Sequence, residues 1–342
     1  MNMEFKRKLP IPQEIKQQLP LAPELAAHKA VRDAHIRAIL EGRDDRFLLV
    51  IGPCSADKDD SVIDYVTRLA RVQERVLDKI LIIPRVYTNK PRTTGEGYMG
   101  MLHQPDPDKG ADMLGGLLAI RRLHLRVIAE TGFTCADELL YPENHRYVSD
   151  LISYASVGAR SVEDQSHRQT ASGLNIPVGM KNPTSGDLAV MLHSIRAAQN
   201  AHTFIYRGWE VESRGNPLAH AVLRGYVDKN GQAVPNFGTK DLLGLCQSYH
   251  AAGLLNPAVI VDTNHANSAK QWQDQPEIAA AVLESRRAHA ELGRLVKGLM
   301  VESYLEDGAQ KAGEGIYGRS ITDPCLGWAK TERLILDMAD KL

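Results

Sequence analysis

Four residues that can hold a divalent transition metal stand where apolar runs give way to loops. They are Cys54 in VIGPCSADKD, His265 in VDTNHANSAK, Glu302 in GLMVESYL and Asp323 in SITDPCLGW. One sulfur, one imidazole nitrogen and two carboxylates suit Mn, Fe, Co or Zn, with positions left over for water or substrate. A buried cysteine and a loop histidine held by a hydrogen bond would produce the same spacing, so both readings stay open at this level. A second set is cationic: Arg85, Arg160, Lys181 and Arg224 close successive apolar runs, and Lys90 and Arg92 follow in TNKPRTTGEG. Arginine forks bind phosphate or carboxylate bidentately, and lysine adds a compact charge that can also meet a carbonyl oxygen. Taken singly, each cation could equally pair with a carboxylate on a neighbouring loop. Glu138 closes the run TGFTCADEL among these cations.

The 342 residues carry a formal charge of −1, so the chain as a whole gives no reason to expect nucleic acid or an anionic membrane surface as a partner. Any cationic site is therefore local. The longest apolar runs fall short of the ~20 residues that a membrane span needs, and MNMEFKRKLPIPQ lacks the apolar core of a signal peptide, which predicts a cytoplasmic protein. Cys54, Cys135, Cys246 and Cys325 are scattered without CxxC spacing, against both a disulfide framework and a zinc knuckle.

Residues 1–28 are polar and dotted with proline and read as an N-terminal arm; residues 29–342 read as one catalytic domain. In that domain RFLLVIGPCS reads as a buried strand, and SVIDYVTRLARVQERVL places Val62, Tyr65, Val66, Leu69 and Val72 on one helical face. The alternation repeats through ILIIPRVY, TGFTCADEL, YASVGARS, IPVGMKN, HTFIYRG with its return AHAVLRG, AVIVDTNHA and VKGLMVESYL. Eight strands alternating with helices predict a (β/α)8 TIM barrel, with a β-hairpin at about 203–223 and a Gly-Asn-Pro turn inserted in the sixth unit. In such a barrel the active site lies at the C-terminal strand ends, where the residues named above fall. GEGYMG and GEGIYG match GxGxxG, yet neither joins a strand to a helix, so no dinucleotide site is expected. His124, His145, His167 and His220 read as surface or packing residues.

The segments IGPCS, RVYTNKPRTT, GARSVEDQSHRQTASGLNIPVGMKN, LRG, DTNHANSAKQ, GLMVESYLEDG and SITDPCLGW, in this order from about residue 25 to the end, strongly resemble the type I 3-deoxy-D-arabino-heptulosonate 7-phosphate (DAHP) synthases. The resemblance implies metal-dependent condensation of phosphoenolpyruvate with erythrose 4-phosphate and water at the entrance to the shikimate pathway. It puts the metal on Cys54, His265, Glu302 and Asp323. Phosphoenolpyruvate falls to Arg85, Glu138, Ala159, Arg160, Lys181, Arg224 and His265, and erythrose 4-phosphate to Lys90, Pro91, Arg92 and Thr93. Lys90, Cys54, His265, Asp323 and Glu138 would act in catalysis. Relatives that use arabinose phosphate lack the KPRTT form. The resemblance also implies inhibition by an aromatic amino acid through arm and hairpin, although MNMEFKRK lacks the paired acidic residues of some relatives, and arm and hairpin would equally serve only to build a homodimer or homotetramer interface. Two other readings are a related synthase for another aldose phosphate and a metabolite sensor without turnover.

Overall fold

A computed structural model of the chain describes residues 1–92 and 95–342. Eight parallel strands form its centre: β1 Phe47–Gly52, β2 Ile80–Pro84, β3 Cys135–Glu138, β4 Ile152–Val157, β5 Val178–Lys181, β6 Ala219–Leu223, β7 Val259–Asp262 and β8 Val296–Glu302. Neighbours run β2-β1-β8-β7-β6-β5-β4-β3. The ring closes where Arg85 bridges Ala136 in parallel and the Val86 amide donates to the Ala136 carbonyl at 3.0 Å. The result is the expected (β/α)8 barrel.

Strand residues alternate between two cores, because successive side chains leave a strand on opposite faces. Leu48, Val50, Leu81, Ile83, Tyr154, Val222, Ile260 and Met300 fill the barrel interior. Leu49, Ile51, Ile82, Val178 and Val261 pack outward under the helices. Helix Asp59–Val76 meets them with a buried stripe that includes Val62, Tyr65, Val66, Leu69 and Val72, and its first turn carries Asp59 and Asp60 at the positive end of the helix dipole. Helix Met113–Thr131 stops at Gly132, whose φ of 70° is the left-handed cap that glycine adopts without a Cβ penalty.

Two boundaries differ from expectation. The limit at residue 28 falls inside helix Pro23–Leu40, which starts on a proline at its first turn and plugs the N-terminal end of the barrel. Ile36, Ile39 and Leu40 of that helix join Leu48 and Leu81 in the interior core. The hairpin is Thr203–Tyr206 with Trp209–Glu212, turning at Arg207 and Gly208 with φ of 55° and 79°. Two consecutive positive φ values are the tight hairpin signature, so the turn lies at Arg-Gly rather than at Gly-Asn-Pro. HTFIY leaves Thr203 and Ile205 exposed and cannot fill a barrel position buried on both faces. AHAVL, buried throughout, takes that place as β6.

Ahead of the plug, helix Pro12–Gln18 lies along the barrel wall. The Tyr147 hydroxyl donates to the Pro10 carbonyl at 2.7 Å, Lys16 pairs with Asp150 at 3.2 Å, and buried Arg121 donates to the Leu19 carbonyl at 2.6 Å. No helix among the described residues is long and apolar enough to cross a membrane.

Candidate active site

Parallel register carries distant residues together at the C-terminal end of the barrel. Gly52 of β1 stands opposite Glu302 of β8, so Cys54, two residues beyond β1, arrives beside Glu302. Glu138 ends β3 and Lys181 ends β5; Arg85 follows β2, Arg224 follows β6 and His265 lies three residues past β7. Cys54, Arg85, Glu138, Lys181, Arg224 and His265, with Glu302 behind them, line one cavity together with Lys90, Pro91, Arg92, Ala159, Arg160 and Asp323. Every expected site residue is therefore in one place except Thr93, which lies outside the described residues.

Cys54, Glu302 and Asp323 bring their ligand atoms within 4.8 Å of one another. The Cys54 thiol faces Asp323 Oδ2 at 3.4 Å, and the Lys90 ammonium touches both, at 2.6 Å from the sulfur and 3.0 Å from the carboxylate. His265 stands just beyond the group, with Nε2 3.8 Å from Glu302 Oε1. Two features fit a metal. Glu302 is buried, and although Arg85 Nη2 lies 2.9 Å from its Oε1, no donor among the described residues is aligned on that oxygen, while Oε2 accepts from Asn264 Nδ2 at 2.5 Å. One carboxylate oxygen thus keeps its lone pairs for another partner. His265 Nδ1 lies 3.0 Å from Asp262. Burial pulls the His265 pKa down despite the Asp262 charge, so the ring is a neutral imidazole that donates from Nδ1 and leaves a lone pair on Nε2. Burial pushes the Cys54 thiol up to about 11, Glu302 adding to the effect and Lys90 opposing it. The thiol is consequently protonated at neutral pH unless a stronger cation replaces that proton.

The backbone here is held under strain. His265 adopts φ 55°, a left-handed conformation that costs an L residue about 1 kcal/mol or more. It is fixed by the Lys270 amide donating to the His265 carbonyl at 2.7 Å and by the Ala266 amide donating to the Arg224 carbonyl at 3.1 Å.

The cations surround a small polar space. Arg85 is buried, stacks 3.9 Å over the Tyr87 ring and donates to the Pro53 carbonyl at 2.5 Å, while among the described residues its Nε has no hydrogen-bond partner. Lys181 meets Asp262 at 3.2 Å. Burial alone would raise the Asp262 pKa, but His265 and Lys181 hold it far below the usual carboxylate range. Among the described residues Arg160 and Arg224 form no ion pair, and burial lowers the Arg224 pKa. With Lys270, seven cations line the cavity, against two carboxylates on its wall, Glu138 and Asp323, and two behind, Asp262 and Glu302. That excess inside a nearly neutral protein suits an anion of several charges. Gly158 makes room for one wall group, since a Cβ there would stand 2.3 Å from Glu138 Oε1.

Sequence reasoning missed Asp262, Lys270, Asn264 and Tyr87. Asp262 was within reach: it precedes His265 by three residues in DTNH, the spacing at which a carboxylate can orient a ligating imidazole. Lys270, 3.0 Å from Asp323, carried no comparable signal. His124 and His220 are buried packing residues, as expected.

Comparison with known proteins agrees with this geometry. The model of the DAHP synthetase I family matches residues 15–335. The chain is 36% identical over 340 residues to the Tyr-sensitive phospho-2-dehydro-3-deoxyheptonate aldolase of Escherichia coli K12, covering 97% of this chain and 92% of that protein. It is 38% identical over 346 residues to the Phe-sensitive enzyme of the same organism, covering 98% and 95%. The solved structure of phospho-2-dehydro-3-deoxyheptonate aldolase from Francisella tularensis SCHU S4 superposes with a TM-score of 0.91 at 31% identity, over 99% of this chain and 98% of that one. A Cys–Glu–Asp cluster ringed by cations at the mouth of a (β/α)8 barrel thus has a family to which it belongs: the chain is a member of the DAHP synthetase I family, the enzymes that condense phosphoenolpyruvate with erythrose 4-phosphate.

Proposed function

We propose that Arg85, Arg160, Lys181 and Arg224 hold phosphoenolpyruvate in the depth of the cavity and that Lys90, Pro91, Arg92 and Thr93 hold erythrose 4-phosphate above it. The observation that carries this reading is the cationic excess around the Cys54–Glu302–Asp323 cluster. Two phosphates and a carboxylate need several cations, and the unpaired Nε of Arg85 offers a donor to one of them.

The reaction joins carbon 3 of phosphoenolpyruvate to the aldehyde carbon of erythrose 4-phosphate; water adds to carbon 2, and phosphate leaves. A divalent Mn, Fe, Co or Zn held by Cys54, His265, Glu302 and Asp323 would supply Lewis-acid polarisation of the aldehyde. Lys90, whose ammonium Cys54, Asp323 and Glu302 hold charged against the pull of burial, stands where it can donate a proton to the oxygen of the aldehyde as the carbon–carbon bond forms. Lys181 and the arginines offset the charge on the departing phosphate without reorganising. Glu138, held clear by Gly158, takes a proton from the water that adds at carbon 2. Holding both phosphates at once makes the encounter effectively intramolecular.

The test follows the ultraviolet absorbance of phosphoenolpyruvate with erythrose 4-phosphate or arabinose 5-phosphate, after EDTA and again after Mn is restored. Loss that requires the four-carbon aldose and the metal supports the reading; turnover with the five-carbon aldose overturns the substrate assignment.

We propose further that an aromatic amino acid regulates the enzyme, which works in the cytoplasm. A cavity between the hairpin and helix His145–Val148 offers Phe204, Tyr206 and Val211 to a ring, with Arg146 and Glu212 for a carboxylate and an ammonium. The relatives above are named Tyr-sensitive and Phe-sensitive. Ile205 and Trp209, at 83% and 74% exposure on opposite faces of the hairpin, give a second copy in a homodimer or homotetramer apolar surface to cover. Initial rates with each aromatic amino acid and light scattering of the purified chain test the two statements separately.

A further inference from the structure

Behind the cavity wall lies a carboxylate that the proposed chemistry does not use. Asp137 precedes Glu138 on β3, and its side chain leaves the opposite face of the strand, where it is 4% exposed. Its Oδ1 accepts from the Thr88 amide at 2.9 Å and from the Glu138 amide at 2.7 Å. Its Oδ2 accepts from the Thr88 hydroxyl at 2.6 Å, and His124 Nε2 stands behind at 3.6 Å. One carboxylate therefore grips two segments at once: the strand end that carries Glu138, and the start of the segment that carries Lys90 and Arg92.

Thr88 is a base point for that segment. It is fully buried, and its carbonyl accepts the Leu102 amide at 3.2 Å, which closes the stretch between them into a loop. The Lys90 amide bonds the Met99 carbonyl across the same loop at 3.2 Å. Gly100, with φ 95°, sits where a Cβ would stand 2.6 Å from the Thr88 carbonyl oxygen. The loop is thus cinched at Thr88, and the side chain that ties its base to the barrel is Asp137. Burying an anion only to fill space would be costly, whereas an anion that accepts three hydrogen bonds in fixed directions sets the relative position of their donors.

We propose that Asp137 is a positioning residue that sets the placement of the aldose-phosphate loop relative to Glu138. Through it the aldehyde is kept in reach of carbon 3 of phosphoenolpyruvate and of the group that handles the water. The inference rests on the reading that Lys90 and Arg92 bind erythrose 4-phosphate.

Steady-state kinetics with each substrate varied in turn provides the test. Thr88→Val removes the hydroxyl bond to Asp137 and keeps the shape; Thr88→Ser keeps the hydroxyl. Thr88→Val raises KM for erythrose 4-phosphate by about five- to tenfold, the size of one ordinary net hydrogen bond, and leaves KM for phosphoenolpyruvate within about twofold. Thr88→Ser restores the ordinary value. Asp137→Asn shifts the same KM in the same direction and lowers kcat; should that variant not fold, the Thr88 pair decides alone. An unchanged erythrose 4-phosphate KM in Thr88→Val, or equal rises for both substrates, overturns the inference. Arg92→Ala separates this from the underlying reading. No change in the erythrose 4-phosphate KM there overturns the loop assignment itself, whereas a rise there beside an unmoved Thr88→Val overturns the role of Asp137 only.

Discussion

The two ends of the barrel treat buried polar groups in opposite ways. At the C-terminal end Arg85, Lys181, Asp262 and Glu302 are all buried and ionised and linked in pairs, yet among the described residues the Arg85 Nε donates, and Glu302 Oε1 accepts, no aligned hydrogen bond. Toward the N-terminal end Ile36, Ile39 and Leu40 close the floor, and the buried histidine there is neutral: His220 bonds the Tyr154 hydroxyl at 2.8 Å and the Leu218 carbonyl at 2.8 Å. His265 and His220 make the contrast concrete. Both are buried, but His265 is aimed by a carboxylate from a strained backbone and keeps a nitrogen for outside chemistry, whereas both nitrogens of His220 are satisfied within the barrel. Incomplete satisfaction of costly groups, rather than their burial, distinguishes the working end.

The comparison can be broken most forcefully at Cys54. Cys54→Ala removes the sulfur from the metal-ready cluster and is expected to lower kcat/KM by about a thousandfold or more, together with loss of bound metal, read by elemental analysis of the dialysed protein. Retained metal and activity would remove the assignment. A smaller effect is expected from Asp262→Asn, which keeps the shape but weakens the hold on His265 and Lys181. Metal affinity or activity should fall by about ten- to a hundredfold, with the melting temperature close to that of the parent. Equal losses of stability and activity would instead make Asp262 a structural group like those of the floor.

The smallest effect belongs to His220 and appears in stability rather than rate. Burial pulls its pKa down to about 4 from 6.5. Because the folded value is the lower one, the unfolded chain takes up the proton first. Stability is then complete above pH 6.5 and declines as the pH falls toward 4, by on the order of 3 kcal/mol across that window. Urea unfolding at a series of pH values measures the slope. His220→Asn should flatten it, and an unchanged slope in that variant would show that the proton goes elsewhere.

Much of this arrangement was legible in the sequence, for a physical reason. Barrel strands are buried on both faces, so FLLVIG or VKGLMVE announces itself as an apolar run, and the first polar side chain beyond each run must lie at the mouth. Cys54, Arg85, Glu138, Lys181, Arg224 and Glu302 follow from that rule. What escaped it were groups defined by contact. Asp262 and Asp137 lie inside or beside strand ends, and their worth depends on which amide, imidazole or ammonium faces them across the barrel. The hairpin was misjudged for a different reason. HTFIY and AHAVL are both mostly apolar by composition, and only the positive φ at Arg207 and Gly208 decides which partner the first of them takes.

The first strand lies beside the last, and that adjacency has a consequence for how the protein is made. Cys54 and Asp323 are 269 residues apart in sequence, and Gly52 faces Glu302 across the seam. A chain growing from its N-terminus exposes the Cys54 sulfur early but completes the cluster only once Asp323 has emerged. Nascent chains and C-terminally truncated fragments therefore have no assembled ligand set with which to capture an ion. Closure of the seam is a contact of very long range, formed against a large loop entropy, and belongs late in folding. A metal held by this cluster would thereby report that the barrel seam has closed.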